Sequence, residues 1–313
     1  MGSQANFLFL CGGRRVKLLR LFRAALDAAG GGRILVTDTE PHSAAAFVAD
    51  ATYPVPPCAQ EEEFVGAIAD ICEREQITAV IPLRCVAVKA MPILRDRVAA
   101  RLITGDDDCI AICSDKVATH DFFTSCGLST PTVLHNVESE PFPIFYRPRF
   151  SEGSRGACAI RTPEQRTALA KTDGVFTCYL DGPEYTIDCY KDLSGRLVTM
   201  VPRERLRVRA GEVERAITRY LPTLEQHCRD ALARLDFVGP ATLQAILTEG
   251  GFFFTEINLR YAGGVTLSIA AGMDSPTWLI ADLLSSLPAT AGPIQWGLGM
   301  SRYDEEFYFM QDR

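Results

Sequence analysis

Strand-like and helix-like patterns alternate through residues 6–104, and that alternation limits the fold more than any single motif does. Residues 6–11 form a largely apolar run that stops at Gly12-Gly13. Residues 16–29 follow, with Leu18, Leu19, Phe22 and Leu26 at the spacing of one helix face. Gly30-Gly31-Gly32 ends that helix, and residues 33–37 return as a strand. A helix over 64–75, a strand over 78–83, a helix over 91–100 and a short strand over 101–104 complete the series. This β-α-β-α order predicts a small doubly wound parallel sheet, a fold that binds ligands beyond the carboxyl ends of its strands. Gly12-Gly13 stands at such an end, although a plain tight turn accounts for it equally well and no complete G-x-G-x-x-G is present.

Composition removes several function classes. No apolar run reaches the ~18 residues of a membrane span. Residues 7–10 are too few for the core of a secretory signal and have no basic flank, so a cytoplasmic protein is expected. The formal net charge of −7 argues against a general nucleic-acid binder. Two local basic clusters, Arg14-Arg15-Val16-Lys17 and residues 203–209, suit small anions instead. The 11 cysteines are irregularly spaced, without a C-x-x-C pair or a Cys/His metal framework, and read as reduced, buried thiols.

After Ile112 the pattern changes. Ser114-Asp115-Lys116 opens a helix that runs to Cys126, with Ser114 or Asp115 as its N-cap and Gly127 as its stop. Pro131, Pro141 and Pro143 mark a connector. Strands over 144–150 and 157–160 flank a Gly/Ser loop, a helix over 162–171 begins at Thr-Pro, and strands follow over 175–180, 184–190 and 197–202. A helix over 223–236 precedes a hairpin over 241–258.

Four stretches have residue types suited to holding a nucleotide and a metal. If the hairpin turns through a three-residue loop, Glu249-Gly250-Gly251, then Gln244 falls opposite Glu256, and Asn258 shares their face. Three oxygen donors on one face suit Mg²⁺, which takes few protein ligands, and equally suit a solvated polar sheet face. Arg147-Pro148 runs into Gly153, Ser154, Arg155 and Gly156, where backbone N–H groups and guanidinium charge can cradle phosphates. Lys116 in the first turn of its helix offers another cation. Glu184 heads a strand after a Gly-Pro turn and can accept from hydroxyl groups. Arg203, Arg205, Arg207 and Arg209 alternate on one face of a strand, as either an anion grip or a charge-guarded edge, and residues 210–219 read as a loop that closes over a ligand.

The order of these stretches resembles the ATP-grasp superfamily, most closely the stand-alone relatives of the large subunit of carbamoyl phosphate synthetase. The resemblance rests on Asp115-Lys116, Arg147-Pro148 with its glycine loop, Gly182 to Asp188 as G-x-E-Y-T-x-D, Gln244, Glu256-Ile257-Asn258-Leu259-Arg260, and Gly263-Gly264. It implies an α/β chain with an N-terminal doubly wound parallel sheet domain over 1–112, then a two-lobed ATP-grasp domain with antiparallel sheets, its small lobe over 113–180 and its large lobe over 181–313. It further implies that Lys116, Arg147, Gly153, Ser154, Arg155 and Gly156 hold ATP phosphates, and that Cys178, Tyr179 and Leu180 meet the adenine. Glu184 would take the ribose, and Gln244, Glu256 and Asn258 one or two Mg²⁺ ions, with Mn²⁺ as a substitute. Arg260 would stabilise the forming acyl phosphate; apart from the resemblance, Arg203, nearest its strand end, is the arginine of its row best placed to grip an anionic substrate or the γ-phosphate.

The activity so implied joins a small-molecule carboxylate to an amine, with ADP and phosphate released. Phosphorylation of bicarbonate or carbamate, and a non-catalytic nucleotide-binding module, are the competing readings. Relatives of this kind often pair, so a homodimer stays open. Three departures stand out: Arg147 where many relatives have lysine, Thr177-Cys178-Tyr179 where an acidic contact to adenine is usual, and Leu83-Arg84-Cys85 where an acidic residue often follows the strand. The last suits an anionic group on the acceptor substrate.

Overall fold

The computed structural model describes residues 5–153, 155–285 and 289–310, and three β-sheets carry the fold. Ser154, expected in the phosphate loop, lies outside the described residues. The first sheet is the expected parallel one. Its strands are β1 (Ala5–Leu10), β2 (Gly32–Asp38), β3 (Ala51–Pro54), β4 (Ala79–Pro82) and β5 (Arg101–Leu102), in the order β3-β2-β1-β4-β5. Every pairing in it is parallel.

β1 is apolar because both its faces are covered, as parallel strands require. Phe7 and Phe9 pack with Leu18, Leu19 and Phe22 of α1 (Val16–Ala28). Leu8 and Leu10 pack with Phe64, Val65 and Ile68 of α2 (Glu61–Arg74). The chain leaves β1 on one side and later returns to set β4 on the other, so the topological switch point lies between β1 and β4. Gly12-Gly13 and Leu83-Arg84-Cys85 both open onto that crevice. The helix expected over 91–100 is the shorter α4 (Met91–Arg95), and an unexpected short helix, α3 (Cys85–Lys89), precedes it. Pro92 has no N–H to continue α3 and starts α4 in its first turn. An unexpected helix, α5 (Asp107–Ser114), is capped by Asp106, whose carboxylate accepts from the Cys109 N–H at 2.8 Å.

α6 (Lys116–Ser125) starts at Asp115 rather than Ser114. The Asp115 carboxylate accepts from the Val117 N–H at 2.9 Å and from Arg149 Nη2 at 2.5 Å. The second sheet is small and antiparallel, in the order β7-β6-β8, with β6 (Ile144–Pro148), β7 (Cys158–Ile160) and β8 (Gly174–Cys178). Leu169 of α7 (Pro163–Leu169) packs against its core of Ile144, Tyr146, Ile160 and Phe176.

The third sheet is antiparallel, in the order β13-β12-β9-β10-β11-β14. It is built from β9 (Glu184–Lys191), β10 (Leu197–Arg209), β11 (Glu212–Thr218), β12 (Gly239–Thr248), β13 (Gly251–Asn258) and β14 (Gly299–Ser301). Ile187, Cys189, Leu243 and Ala245 on one face meet Leu224, Cys228, Ala231 and Leu232 of α8 (Pro222–Leu232). Each such leucine contributes about 1.5–3 kcal/mol by leaving water. The other face is divided. Tyr190 and Val201 join Tyr261, Val265 of α9 (Val265–Ala270) and Leu279 of α10 (Ser275–Ser285) in an apolar core, whereas the end nearer Glu256 is polar.

Two expectations about this sheet are corrected. The loop expected over 210–219 is a hairpin tip of two residues, Ala210 and Gly211, both with positive φ (50° and 78°), the backbone that a tight strand-to-strand turn requires. The β12–β13 loop is likewise two residues, Glu249-Gly250, because Thr248 pairs with Gly251 rather than Phe252. A bulge at Thr255 then shifts the register by one, and Gln244 still meets Glu256.

Candidate active site

The registers of four strands bring separated residues into two rows. Glu256 pairs with Gln244, Gln244 with Thr186, and Thr186 with Arg203. The next row on the same face runs Asn258, Thr242 and Asp188. Arg203 is 1% exposed and is held by Asp188, with Nε donating to Oδ2 at 2.7 Å and Nη2 to Oδ1 at 3.2 Å. Ser268 Oγ donates to the same carboxylate at 2.6 Å. The third guanidinium nitrogen, Nη1, is buried without a hydrogen-bond partner among the described residues.

These rows floor a cleft of about 360 Å³. Its opposite wall is the switch-point crevice, with Gly12, Gly13, Arg14, Arg15 and Arg84. Glu152, Gly153 and Arg155 reach in from the glycine loop, and Arg260 closes one end. Glu152 forms an ion pair with Arg84 and accepts from the Cys85 N–H at 3.0 Å, which ties the loop to the parallel sheet. The loop also touches the β10–β11 tip: a Cβ on Gly211 would lie 2.4 Å from the Gly153 carbonyl oxygen.

A smaller adjoining cavity brings Lys116 to Glu256 and Asn258, with Cys85 and Ser151. Lys116 Nζ donates to the Ser151 carbonyl at 2.6 Å. Burial lowers the Lys116 pKa, and the Glu256 carboxylate opposes that shift. Arg147 is 9% exposed, and its Nη1 donates at 2.7 Å to the carbonyl of Thr255, the bulge residue. Burial lowers its pKa as well, again against Glu256. The Cys85 thiol donates to Asn258 Oδ1 at 2.8 Å, and Arg260 Nε points to Cys85 Sγ at 3.3 Å. Burial raises the Cys85 pKa despite Arg260, so this thiol stays protonated as a donor.

The structure therefore gathers Lys116, Gly153, Arg155, Arg203, Gln244, Glu256, Asn258 and Arg260 around two adjoining cavities, with Arg147 directly behind them. Other expected residues stand apart. Gly156 turns at φ 74° against Pro148. Cys178 N–H bonds to the Thr132 carbonyl at 3.0 Å, and Arg161 lies over the Tyr179 ring at 5.4 Å. Neither they nor Leu180 line either cavity. Glu184 pairs with Arg205 at 2.9 Å, so it reaches the cleft through that arginine. The four alternating arginines do not share a face. Irregularities on both sides of Arg207 break the alternation, sending Arg207 to Glu214 and Arg209 to Asp304 on the exposed edge, while Arg203 and Arg205 line the cleft.

Residues 171–304 match the family described as ATP-grasp in the biosynthetic pathway with Ter operon, and residues 7–101 match the PylC-like N-terminal domain. The biotin carboxylase domain of Hydrogenobacter thermophilus 2-oxoglutarate carboxylase, solved with MgADP, ADP and bicarbonate, superposes with a TM-score of 0.75 at 15% identity, over 95% of this chain and 74% of that one. The chain has the ATP-grasp fold. N5-carboxyaminoimidazole ribonucleotide synthetase from Thermus thermophilus superposes on this ATP-grasp chain with a TM-score of 0.72 at 18% identity, over 92% of this chain and 80% of that one. An ADP complex of the Staphylococcus aureus synthetase gives 0.74 at 15% identity, over 94% and 81%. No curated protein matches the chain in sequence.

The ATP-grasp cleft also contains residues that sequence patterning alone leaves out of the site. Patterning marks Arg14 and Arg15 only as local charge and puts Glu212 in a loop, whereas Arg84 stands out only through the resemblance, as a departure that suits an anionic acceptor group. Their signal is position: each follows a strand end or heads a hairpin strand. Asp188 reads only as the end of a motif, yet it anchors Arg203. Gly264 makes room for that anchor, since a Cβ there would lie 2.5 Å from Val213 Cγ1 and 2.7 Å from Arg203 Nη1. The substitution Gly264→Ala is expected to push Arg203 off its position and cost about 1–3 kcal/mol of stability by overpacking. Urea unfolding measures it, and a midpoint equal to that of the parent would contradict the contact.

Proposed function

We propose that the chain is an ATP- and Mg²⁺-dependent ligase that joins a carboxylate to an amine through an acyl phosphate, organised as residues 1–112, 113–180 and 181–313. One observation carries the proposal: Lys116 lines the same small cavity as Glu256 and Asn258, a cation facing oxygen donors, and Arg147 stands directly behind, bonded to the carbonyl of Thr255 beside Glu256. Phosphoryl transfer needs such positioning and charge neutralisation more than covalent help from the protein.

In this reading Lys116, Arg147 and the loop at Gly153–Arg155 hold the triphosphate. Glu184, through Arg205, serves the ribose. Gln244, Glu256 and Asn258 supply one carboxylate and two amide oxygens, and Mg²⁺ fits such a sparse set because it keeps water and phosphate oxygens as further ligands. Held by these residues, Mg²⁺ would supply positive charge against the phosphates. Arg203 Nη1 and Arg260 orient the substrate carboxylate. One carboxylate oxygen attacks the γ-phosphorus, the bond to the β-phosphate oxygen breaks, and ADP leaves. The amine then attacks the acyl carbon, loses a proton and expels phosphate. The meeting of the Gly153 loop with the Gly211 tip keeps water from the acyl phosphate.

Two of the similar structures were solved with ADP or MgADP, one of them also with bicarbonate, which makes bicarbonate a candidate for the carboxylate. Calorimetric titration is expected to show Mg²⁺-dependent ADP binding that EDTA removes. Absence of binding at millimolar nucleotide would end the ligase reading. ADP release that rises with bicarbonate and no other acid would select the bicarbonate form.

A further inference from the structure

The nucleotide reading leaves the switch-point side of the cleft without an occupant. Arg14, Arg15 and Arg302 surround a single carboxylate there, Glu212, at 4.0, 3.4 and 2.9 Å. Three guanidinium groups meet one carboxylate at ion-pair distance, and Asp304, paired with Arg209, is the further carboxylate within their reach, so positive charge predominates at that wall. Burial lowers the Arg15 pKa to about 10 although Glu212 opposes it, so this cation bears a real desolvation cost. At the cleft floor Arg203 Nη1 is buried and unpartnered, and it lines the same space. The two positions are joined by one peptide step. A Cβ on Gly263 would lie 2.8 Å from Arg15 Nη1, and a Cβ on Gly264 would lie 2.7 Å from Arg203 Nη1. Consecutive Cα atoms are only about 3.8 Å apart. Two guanidinium groups thus stand over neighbouring glycines in one cleft.

We propose that the acid substrate carries two anionic groups a few bonds apart: the carboxylate to be phosphorylated, at Arg203 and Arg260, and a second carboxylate or a phosphate, at Arg15 and Arg14. The inference rests on the ligase reading and narrows it to diacids and phosphorylated acids. Asp188 holds Arg203 but leaves Nη1 free among the described residues, and Glu212 meets Arg15 only at 3.4 Å, so a ligand anion at each end adds a charge-assisted contact that neither guanidinium has. A monoacid forgoes the added contact at Arg15, so selection acts against it. The Gly263-Gly264 pair has its reason here, since any side chain would fill the approach to one guanidinium or the other.

The test uses the full chain with Mg·ADP, and matched acids: succinate against butyrate, and 3-phosphoglycerate against glycerate. The dianionic member of at least one pair is expected to raise the unfolding temperature and, with Mg·ATP, to support ADP release. Whichever pair responds tells carboxylate from phosphate at the second position. Arg15→Gln is expected to raise KM for the responding acid by about tenfold or more, the loss of one charge-assisted hydrogen bond, while the affinity for Mg·ADP moves less than about twofold. Arg14→Gln, on a side chain 69% exposed, shifts KM in the same direction and serves if the first variant does not fold. Equal response to both members of each pair, no response to either diacid, or variants that leave the preference unchanged would overturn the inference. Nucleotide binding is read separately. Intact Mg·ADP binding with no preference sinks this inference alone, whereas lost Mg·ADP binding sinks the ligase reading, and the acid pairs still report on the two-anion site.

Discussion

Glu256→Ala is expected to lower ADP formation on the order of 10³-fold, roughly 4 kcal/mol of transition-state stabilisation, with the fold retained. Glu256 is the one carboxylate among the three proposed metal ligands, and its charge reaches Lys116 and Arg147 together. Without it, the two buried cations face amide oxygens alone, and the divalent ion loses its anionic ligand. Glu256→Gln keeps the volume and the hydrogen-bonding reach but not the charge, so it should be nearly as inactive. Glu256→Asp keeps the charge and withdraws it by one methylene, and should retain more. The order Asp above Gln, measured as kcat across a range of Mg²⁺ concentrations, separates a metal ligand from a shape effect. Turnover unchanged in the alanine variant would instead favour a nucleotide-binding module without catalysis.

Asp188→Ala is expected to produce the largest loss of stability, about 3–5 kcal/mol, because it strands a buried guanidinium. The Arg203–Asp188 side chains are 1% and 2% exposed, and the closest N–O distance is 2.7 Å. Ser268 loses its acceptor in the same substitution. Replacing both partners, as in Asp188→Leu with Arg203→Met, removes the stranded charge and should recover much of that stability while turnover stays lost. Urea unfolding of the two single variants and the double variant gives the coupling directly. A single-variant loss below about 1 kcal/mol would mean that water reaches Arg203, and the case for an unpartnered, buried Nη1 would fail with it.

The hairpin shows how a correct contact can follow from an incorrect loop. Turn chemistry predicts a three-residue loop, and the chain uses two residues, yet the bulge at Thr255 restores the pairing of Gln244 with Glu256. The bulge does more than repair register, since its carbonyl accepts from Arg147 at 2.7 Å and so aligns the small sheet with the large one. No pattern of alternation reports a bulge, because the residues on either side of it keep their apolar and polar character.

What the amino-acid order determined by itself was local and periodic: the parallel sheet, read from β1 and α1, the capped helix at Asp115-Lys116, and the hairpin that sets Glu256 beside Gln244. Hydrophobic periodicity and turn chemistry act over a few residues, so they can be seen in a few residues. Tertiary structure alone decided which cations share the cleft and which are spent elsewhere. It bonded Cys85 to Asn258 across 173 positions, tied Glu152 to Arg84, buried Arg203 on Asp188, and sent Arg207 and Arg209 to the exposed edge. A charge looks the same in the sequence whether it ends in water or in a cleft, and only the packing of distant elements around it sets its partners and its cost of burial.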